Sequence, residues 1–320
     1  MAPAGALRAE INVNLDGYLS AIRSNDLQAG VVGAVNYMAV LHGEVDAHTW
    51  NDVVRPAVMA HELHHLMLED PYTERAFRKP RGYAGDAETM YYLYYRNPPA
   101  STSPLGRQMF AITTALPNSL SIADRRHRVA ALIDRTADAT HRPIRVFAVA
   151  SGHLREADLS NAIRRGAVSE IIALDQDLRS LEVVQKDYAR LPIKCAPQSI
   201  QRLLMPRPDL GKFDLIYSAG MYNYLPDSLA WRLTSFLFEL LLPGGTLMIG
   251  NFVPNNANRA YMETFMDWRV VLRDEIQMMQ LVSELPAAEI AERSIATDDG
   301  GNIAYLEIRK AEAARDHDHA

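Results

Sequence analysis

The residues best suited to binding chemistry lie in one stretch, 145–177. An apolar run at 146–149 is followed by a turn of small residues at 150–152, and a second apolar run ends on an acid, Asp175. In a βαβ unit of this kind, backbone amides at the first turn meet the polar part of a nucleotide-like ligand, and the acid accepts hydrogen bonds from a ribose. The stretch therefore predicts a nucleotide-type binding site.

The turn departs from the glycine pattern of dinucleotide sites. Gly152 is the only glycine of the turn and has Ala150 and Leu154 two residues to either side, so the full G-x-G-x-x-G motif is absent. A pyrophosphate must approach backbone amides closely, and the full pattern favours that approach. The absence of the full pattern argues against a phosphate-bearing ligand such as a nicotinamide dinucleotide. An oxidoreductase that uses such a dinucleotide stays an alternative.

A second pattern with chemical potential is His61-Glu62-Leu63-His64-His65, which matches the H-E-x-x-H motif of zinc hydrolases. Such a site needs a third ligand, and the nearest one, Glu88, follows a segment rich in proline, glycine and arginine that does not continue a metal-site helix. We favour histidines on an amphipathic helix and expect no metal. A zinc hydrolase built on His61 and His65 stays the alternative of another class.

Composition limits the classes of binding partner and the cellular location that we expect for the protein. The net charge is −6 and the isoelectric point is near 5.9, whereas a nucleic-acid partner would favour a basic surface. Cys195 is the single cysteine, so no internal disulfide can form. The first residues lack a basic segment followed by an apolar run, and no stretch reaches the roughly 20 apolar residues of a membrane span. We expect a cytoplasmic protein.

The periodicity of apolar residues changes once along the chain. Residues 11–68 show the three- and four-residue spacing of helices, whereas strands and helices alternate from residue 141 onward. We predict a helical N-terminal domain or lid at 1–140, a parallel α/β domain at 141–310 and a disordered tail at 311–320. Strands are expected at 145–150, 170–175, 191–195, 213–219 and 246–251, and a long helix at 258–283 precedes an antiparallel hairpin at 291–297 and 302–309.

The α/β domain resembles the class I S-adenosylmethionine-dependent methyltransferases. Leu242-Pro243-Gly244-Gly245 matches the L-x-P-G-G turn before the fifth strand of that family, the fourth strand begins FDLI, and the last strand is expected to be reversed. The resemblance implies a Rossmann-like sheet with an antiparallel final strand, and S-adenosylmethionine as cofactor. That ligand has no phosphate, which fits the reduced glycine pattern.

A narrower resemblance covers about 71–309. The run DPYTERAFRKPRGYAGDAETM, the turn ASGHLRE and the later DWRVVLRDE are similar to bacterial methyltransferases described as 3-hydroxypalmitate (extracellular factor) methyl ester biosynthesis proteins. The resemblance implies a small-molecule acceptor of secondary metabolism, with methyl ester formation on a carboxylate as the first choice. N-methylation or O-methylation of a hydroxyl, a non-catalytic binder and a homodimer stay open.

The resemblance also implies which residues hold the cofactor. The acid usually found in strand one is replaced by Ala148, so the partner of the cofactor's ammonium group is open, with Asp86 or backbone carbonyls as substitutes. Arg81 is expected to pair with the methionine carboxylate. The complete expected set is Arg81, Tyr83, Asp86, Ala150, Ser151, Gly152, Asp175, Gln176, Gln198, Ser199, Ser218, Ala219 and Gly220.

For the acceptor we expect residues after the fourth and fifth strands: Tyr222, Asn251, Arg259, Trp268 and Arg273. Methyl transfer from a sulfonium mainly needs alignment of the nucleophile and exclusion of water. A carboxylate acceptor is already ionised, so Tyr222 and Arg273 would orient it, and His153 completes the expected catalytic set. An amine or hydroxyl acceptor must lose a proton, for which His64, His65 or His153 could act as the base.

Overall fold

A computed structural model describes residues 4–205 and 210–313 of the chain. It contains two compact units: a helical unit, Met1–Ala123 with Asn255–Arg269, and a sheet unit, Asp124–Pro254 with Val270–Ala320. The predicted domain boundary at residue 140 differs from this division, because the helix that begins at Pro117 crosses from one unit to the other. Residues 314–320 of the predicted tail lie outside the described residues.

The helical unit is built from short helices joined by tight turns. Their bounds are α1 Ala4–Arg23, α2 Gly33–Glu44, α3 Ala47–Thr49, α4 Arg55–Ala60, α5 Glu62–Met67, α6 Pro71–Arg78, α7 Ala87–Tyr95, α8 Pro104–Thr113 and the start of α9 Pro117–Ala139, with π-helical turns at Gln28–Val32 and Trp50–Val54.

The sheet unit follows the predicted alternation. Its strands are β1 Ile144–Val149, β2 Val168–Asp175, β3 Ile193–Pro197, β4 Phe213–Ser218, β5 Leu241–Phe252, β6 Ile290–Thr297 and β7 Ile303–Lys310. Its further helices are α10 Asn161–Arg164, α11 Leu178–Asp187, α12 Ile200–Leu203, α13 Asp227–Glu239 and α15 Glu275–Gln280, while α14 Arg259–Phe265 belongs to the helical unit. Short 3₁₀ turns lie at Arg155–Asp158, Met221–Tyr224 and Ala287–Glu289.

The strands form one seven-stranded sheet in the order β3-β2-β1-β4-β5-β7-β6. The first five are mutually parallel, whereas β7 pairs antiparallel with β5 and β6 antiparallel with β7. The predicted fold class, an α/β Rossmann-like sheet with a reversed final strand and a helical N-terminal region, is confirmed. The carboxyl ends of β1 to β5 consequently share one edge of the sheet, where ligands of such folds bind.

The central strands are buried on both faces because helices cover a parallel sheet on both sides. All six residues of β4 are buried, and so are five of the six in β1. Phe147 and Phe213 stack with their ring centroids 5.0 Å apart within the core beneath α12, α13 and α15. This packing fixes the two strands from whose ends the candidate site projects.

The predicted long helix at 258–283 is wrong. The structure has two short helices, α14 and α15, separated by non-helical residues 266–274. Asp267 has a left-handed φ of 45°, and its carboxylate accepts a hydrogen bond from Arg55 at 2.5 Å. A left-handed residue does not continue an α-helix, so the helix is interrupted there. Asp274 then begins α15 as the N-cap of a capping box with Gln277. Trp268 and Arg273 therefore do not share a helix face.

The segment between Asp70 and Asp86, which is rich in proline, glycine and arginine, begins with a helix. Asp70 accepts hydrogen bonds from the backbone N–H groups of Tyr72 and Thr73, at 3.0 and 3.2 Å, and caps α6 with Pro71 at its first turn. The helix ends at Lys79, whose φ is 50°. Irregular chain is limited to the residues between α6 and α7.

The H-E-x-x-H pattern lies across a helix boundary. His61 is extended, with φ −81° and ψ 148°, and its Nδ1 accepts the backbone N–H of Leu63 at 3.1 Å as the N-cap of α5. Its Nε2 lies 3.2 Å from a carboxylate oxygen of Asp16. Since His61 precedes the helix that carries His65, the pair lacks the shared helix face on which the zinc motif depends.

None of the described helices has the length and apolar character that crossing a membrane requires.

Burial of His64 makes the stability of the helical unit pH-dependent. The residue is 1% exposed, its ring centroid lies 4.7 Å from that of Phe77, and burial lowers its pKa from 6.5 to about 4. Below pH 6.5 the His64 imidazole is therefore protonated in the unfolded state but stays neutral in the folded state. The stability that is present above pH 6.5 is lost as the pH falls toward 4. Burial raises the pKa of Asp70 to about 6, which acts in the opposite direction.

We expect the free energy of unfolding of wild type to fall relative to that of His64→Leu by up to about 3 kcal/mol between pH 7 and pH 4. Urea denaturation of both proteins across this range measures the difference and cancels the shared contribution of Asp70. Parallel pH curves for the two proteins would contradict a neutral, buried His64.

Candidate functional site

The turn after β1 adopts the backbone conformation that a glycine-rich pattern would supply. Ala150, Gly152 and Leu154 have φ values of 57°, 54° and 53°, so all three residues are left-handed. A residue with a Cβ pays roughly 1–2 kcal/mol for this conformation. The chain thus keeps the geometry of the turn at two positions where the sequence gives up glycine.

Asp175 ties this turn to the end of β2. One carboxylate oxygen accepts the backbone N–H of Gly152 at 2.8 Å, and the other accepts that of Asp177 at 2.9 Å. The residue is 5% exposed, and burial raises the pKa of its carboxyl group, while these backbone donors lower it. Its own carbonyl accepts the backbone N–H of Gln198, which brings the end of β3 to the same place.

Three buried polar atoms at this edge of the sheet have unused hydrogen-bonding capacity. Ser151 Oγ, Gln198 Nε2 and Ser218 Oγ make no hydrogen bond to any residue that the structure describes. They lie after β1, after β3 and at the end of β4; β1 and β3 flank β2, and β4 is the next strand beyond β1. Burying such a group without a partner costs about 1–3 kcal/mol, so a ligand that supplies partners would be stabilised here.

The remaining predicted cofactor residues of the sheet unit have mixed surroundings. Gln176 is exposed, and Ser199 is half-buried with its hydroxyl 3.3 Å from the backbone N–H of Arg202, which it caps. Ala219 and Gly220 form the turn after β4, where Arg125 donates from Nη1 to the carbonyl of Ala219 at 3.1 Å. The predicted base His153 is 5% exposed in the turn after β1.

Sequence reasoning missed a buried acid beside this turn. Glu156 is 8% exposed, and its Oε1 accepts the hydroxyl of Tyr217 at 2.5 Å. Burial raises the pKa of Glu156, against the opposing effects of the Tyr217 bond and the charge of Arg125. The acid stands in the ASGHLRE segment, but its contact with a strand 61 residues later has no local pattern.

Tyr222, Asn251 and Arg273, which were predicted to meet the acceptor, form a buried network instead. Arg273 is 1% exposed and donates to the carbonyls of Tyr222 and Leu225, to Asn251 Oδ1 and to Asp227 at 2.7–3.2 Å. The network fixes the chain after β4 against the end of β5.

The Tyr222 side chain itself faces the hydrophobic core. Its hydroxyl lies 3.0 Å from that of Thr234, which donates to the carbonyl of Ala230, so the tyrosine is the donor. Burial raises the pKa of Tyr222, whose exposure is 0%. Each of the side chains of Tyr222, Asn251 and Arg273 is engaged within the fold, and their contact with an acceptor stays a prediction.

Five predicted residues belong to the helical unit. Asp86 is 0% exposed and accepts from Arg75 at 2.6 and 2.9 Å while capping α7, so its carboxylate is already engaged. Arg259 pairs with Glu263, and Trp268 is 3% exposed. Arg81 lies 3.7 Å from Glu88 and follows α6 together with Tyr83. Contact of these residues with a ligand stays a prediction.

The edge of the sheet therefore combines complementary polar groups. It offers a buried carboxylate at Asp175, donors and acceptors at Ser151, Gln198 and Ser218, a second buried carboxylate at Glu156, and the guanidinium of Arg125 at the turn after β4. This set suits a ligand with vicinal hydroxyls, a nitrogen-rich ring and both charge signs, and it includes no cluster of cations for a pyrophosphate.

Comparison with known proteins supports the fold. No protein-family model matches the sequence, and no curated protein is significantly similar to it. A possible exported protein from Bordetella parapertussis superposes with a TM-score of 0.57 at 19% identity over 71% of this chain and 79% of that chain.

Two methyltransferase structures solved with S-adenosylhomocysteine are also similar. Magnesium protoporphyrin IX methyltransferase from Synechocystis has a TM-score of 0.49 at 13% identity, over 76% of this chain and 100% of its own. N-methyltransferase NodS from Bradyrhizobium japonicum has a TM-score of 0.44 at 16% identity, over 62% of this chain and 94% of its own. The similarity to the Bordetella protein extends to the fold alone. The two methyltransferases superpose too loosely to bear on function.

The strained alanine in the turn gives a direct test of the geometry. We expect Ala150→Gly to raise the free energy of unfolding by about 1 kcal/mol, because glycine adopts a φ of 57° without a Cβ clash. The matched control Ala148→Gly lies in β1 and is 0% exposed, so it should lower the free energy of unfolding by about 1 kcal/mol. Thermal or urea denaturation measures both, and destabilisation by Ala150→Gly would contradict the left-handed turn.

The buried network predicts a structural cost for Arg273. We expect Arg273→Met to lower the free energy of unfolding by about 3–5 kcal/mol, since it leaves two carbonyls and Asn251 Oδ1 without their donor. Arg269→Met, whose parent side chain is 62% exposed, should change it by less than about 0.5 kcal/mol. Equal, small effects of both substitutions in urea denaturation would favour the original prediction of an acceptor contact.

Proposed function

We propose that the chain is an S-adenosylmethionine-dependent methyltransferase acting on a small-molecule acceptor. The observation that carries this proposal is the set of buried, unsatisfied polar atoms of Ser151, Gln198 and Ser218 around the Asp175 carboxylate. Native proteins satisfy most buried polar groups, so their concentration at the strand ends points to a ligand that completes them.

The residues present fit the adenosyl part of this cofactor. Asp175, at the end of β2, is placed to accept hydrogen bonds from both ribose hydroxyls. Gln198 follows β3 and offers an amide for the ring nitrogens of adenine, and Ser151 and Ser218 lie nearer the centre of the edge. No group in this set requires a phosphate, which favours S-adenosylmethionine over a nicotinamide dinucleotide.

The L-x-P-G-G motif near the start of β5 supports the family resemblance on physical grounds. Gly244 has a φ of 75°, and a Cβ on Gly245 would lie 2.9 Å from the carbonyl oxygens of both Leu242 and Phe213. Both glycines of the L-x-P-G-G motif are therefore required by the backbone. They set the register in which β5 meets β4, and so help to position the end of β4.

The chemistry of the reaction assigns the protein a positioning task. When bound, the cofactor supplies a methyl group already activated by its sulfonium. The chain's own residues would hold the ribose at Asp175, exclude water through the buried strand ends and orient the acceptor. A carboxylate acceptor, giving a methyl ester, needs no base; an amine or hydroxyl acceptor is the alternative and would use His153, which lies in the turn after β1.

The two units have different roles in this proposal. The sheet unit carries the cofactor residues, and the helical unit is proposed as the lid and as the source of Arg81 and Tyr83. The zinc hydrolase alternative loses support because His61 precedes the helix that carries His65. A binder without turnover would show cofactor affinity but no methyl transfer to a panel of fatty, hydroxy and aromatic acids.

Isothermal titration tests the proposal and the role of Asp175 together. We expect wild type to bind S-adenosylhomocysteine and not NAD, and Asp175→Asn to weaken that affinity about 10- to 100-fold through lost charged hydrogen bonds to the ribose. Glu182→Gln makes the same charge change at an exposed position of α11 and should leave the affinity unaltered. Binding of NAD but not of S-adenosylhomocysteine would overturn the proposal.

A further inference from the structure

Strand β6 forms an open edge of the sheet. It is the last strand in the sheet order, and β7 is the only described strand that pairs with it. The backbone N–H of Asp298 donates to the carbonyl of Ile303, and hydrogen-bonded pairs of an antiparallel ladder recur at every second residue. The backbone N–H and C=O groups of Arg293, Ile295 and Thr297 therefore point away from β7, toward the open edge.

The β6 edge lacks the features that protect the opposite edge of the sheet. Most of its residues are exposed, it contains no proline, lysine or glycine, and its register shift lies before Arg293. The opposite edge strand, β3, is shorter and ends on Pro197, which has no backbone N–H, and its Lys194 pairs with Glu170. Unpaired backbone groups are a template for another strand, so β6 is the edge at which strand addition is expected.

The sequence of β6 is complementary to itself in an antiparallel pair. With a twofold axis at Ile295, Arg293 lies opposite the partner's Thr297, and directly opposite side chains point to the same face. Within one chain, Thr297 Oγ1 lies 3.5 Å from Glu275 Oε1, and Arg293 and Glu275 are both exposed. Arg293 of each copy thus comes within reach of the partner's Glu275, and the twofold axis forms this ion pair twice.

The two faces of such a pair contribute differently. Ile295 packs partly against the core cluster that includes α15, so its face also presents Ile276 of α15, which is 73% exposed. On the other face Glu292 lies opposite the partner's Asp298, whose carboxylate already accepts backbone N–H groups of its own turn. The first face favours pairing, and the repulsion on the second keeps the pairing weak.

We propose that β6 binds a second copy of this chain by antiparallel strand addition, which joins the two sheets into one. The pairing does not depend on the proposed function, because β5 and β7 separate β6 from β4. A single strand edge gives an interface at the small end of the range for proteins. We therefore expect a reversible dimer with a dissociation constant of about 10–100 µM.

Charge reversal tests the ion pair that the twofold axis requires. We expect Arg293→Glu, and separately Glu275→Arg, to weaken dimerisation at least about tenfold, because each places like charges together, and the double variant to return within about threefold of wild type. Arg190→Glu makes the same reversal at an exposed position before β3 and should leave dimerisation unchanged. Sedimentation velocity at about 1–300 µM protein measures the dissociation constants.

Cross-linking tests the position of the axis. In a Cys195→Ser background, Ile295→Cys should give a disulfide-linked dimer on mild oxidation, because opposite residues of a strand pair lie within disulfide distance. The control is Thr297→Cys, whose two copies would lie about 14 Å apart along the strands and should not cross-link. Circular dichroism verifies that each variant is folded.

Three results would overturn the proposal. The first is a wild-type protein that stays monomeric over the whole concentration range. The second is a dimer whose affinity neither single charge reversal changes, which would place the interface elsewhere. The third is cross-linking of Thr297→Cys as efficient as that of Ile295→Cys.

Discussion

The pairing of the Asp175 carboxylate with the backbone N–H groups of Gly152 and Asp177 is the interaction on which the candidate site depends. It joins the turn after β1 to the end of β2, and the carbonyl of the same residue holds the backbone of Gln198 after β3. One acid thus organises three adjacent strand ends. Because the carboxylate is nearly buried, its remaining capacity to accept hydrogen bonds is directed at whatever occupies the edge of the sheet.

That constraint explains why the turn is left-handed at two residues that are not glycine. The backbone N–H of Gly152 must point at Asp175, and the chain reaches this orientation through left-handed residues on both sides, at Ala150 and Leu154. In a dinucleotide site the cost of a Cβ there would include a clash with the pyrophosphate. A ligand without phosphate removes that clash, so the chain carries only the backbone strain.

Much of this arrangement could be predicted from the sequence because it is encoded locally. Parallel strands buried on both faces give continuous apolar runs, and an acid that ends the second run is the expected position of a ribose contact. The parallel strands and the position of Asp175 therefore follow from short patterns. The helix at 258–283 failed because apolar periodicity continues through Asp267, whose left-handed turn is stabilised by Arg55 from far along the chain.

The long-range contacts of the predicted site residues have the same origin. Nothing beside Arg273 in the chain indicates that carbonyls of residues 222 and 225 await it, and nothing beside Glu156 indicates Tyr217. Such pairs follow from tertiary packing, where residue type and spacing carry little information. A crystal structure grown with S-adenosylhomocysteine tests the central claim most directly: we predict ribose hydroxyls within hydrogen-bonding distance of Asp175, and ligand bound away from the ends of β1, β2 and β4 would contradict it.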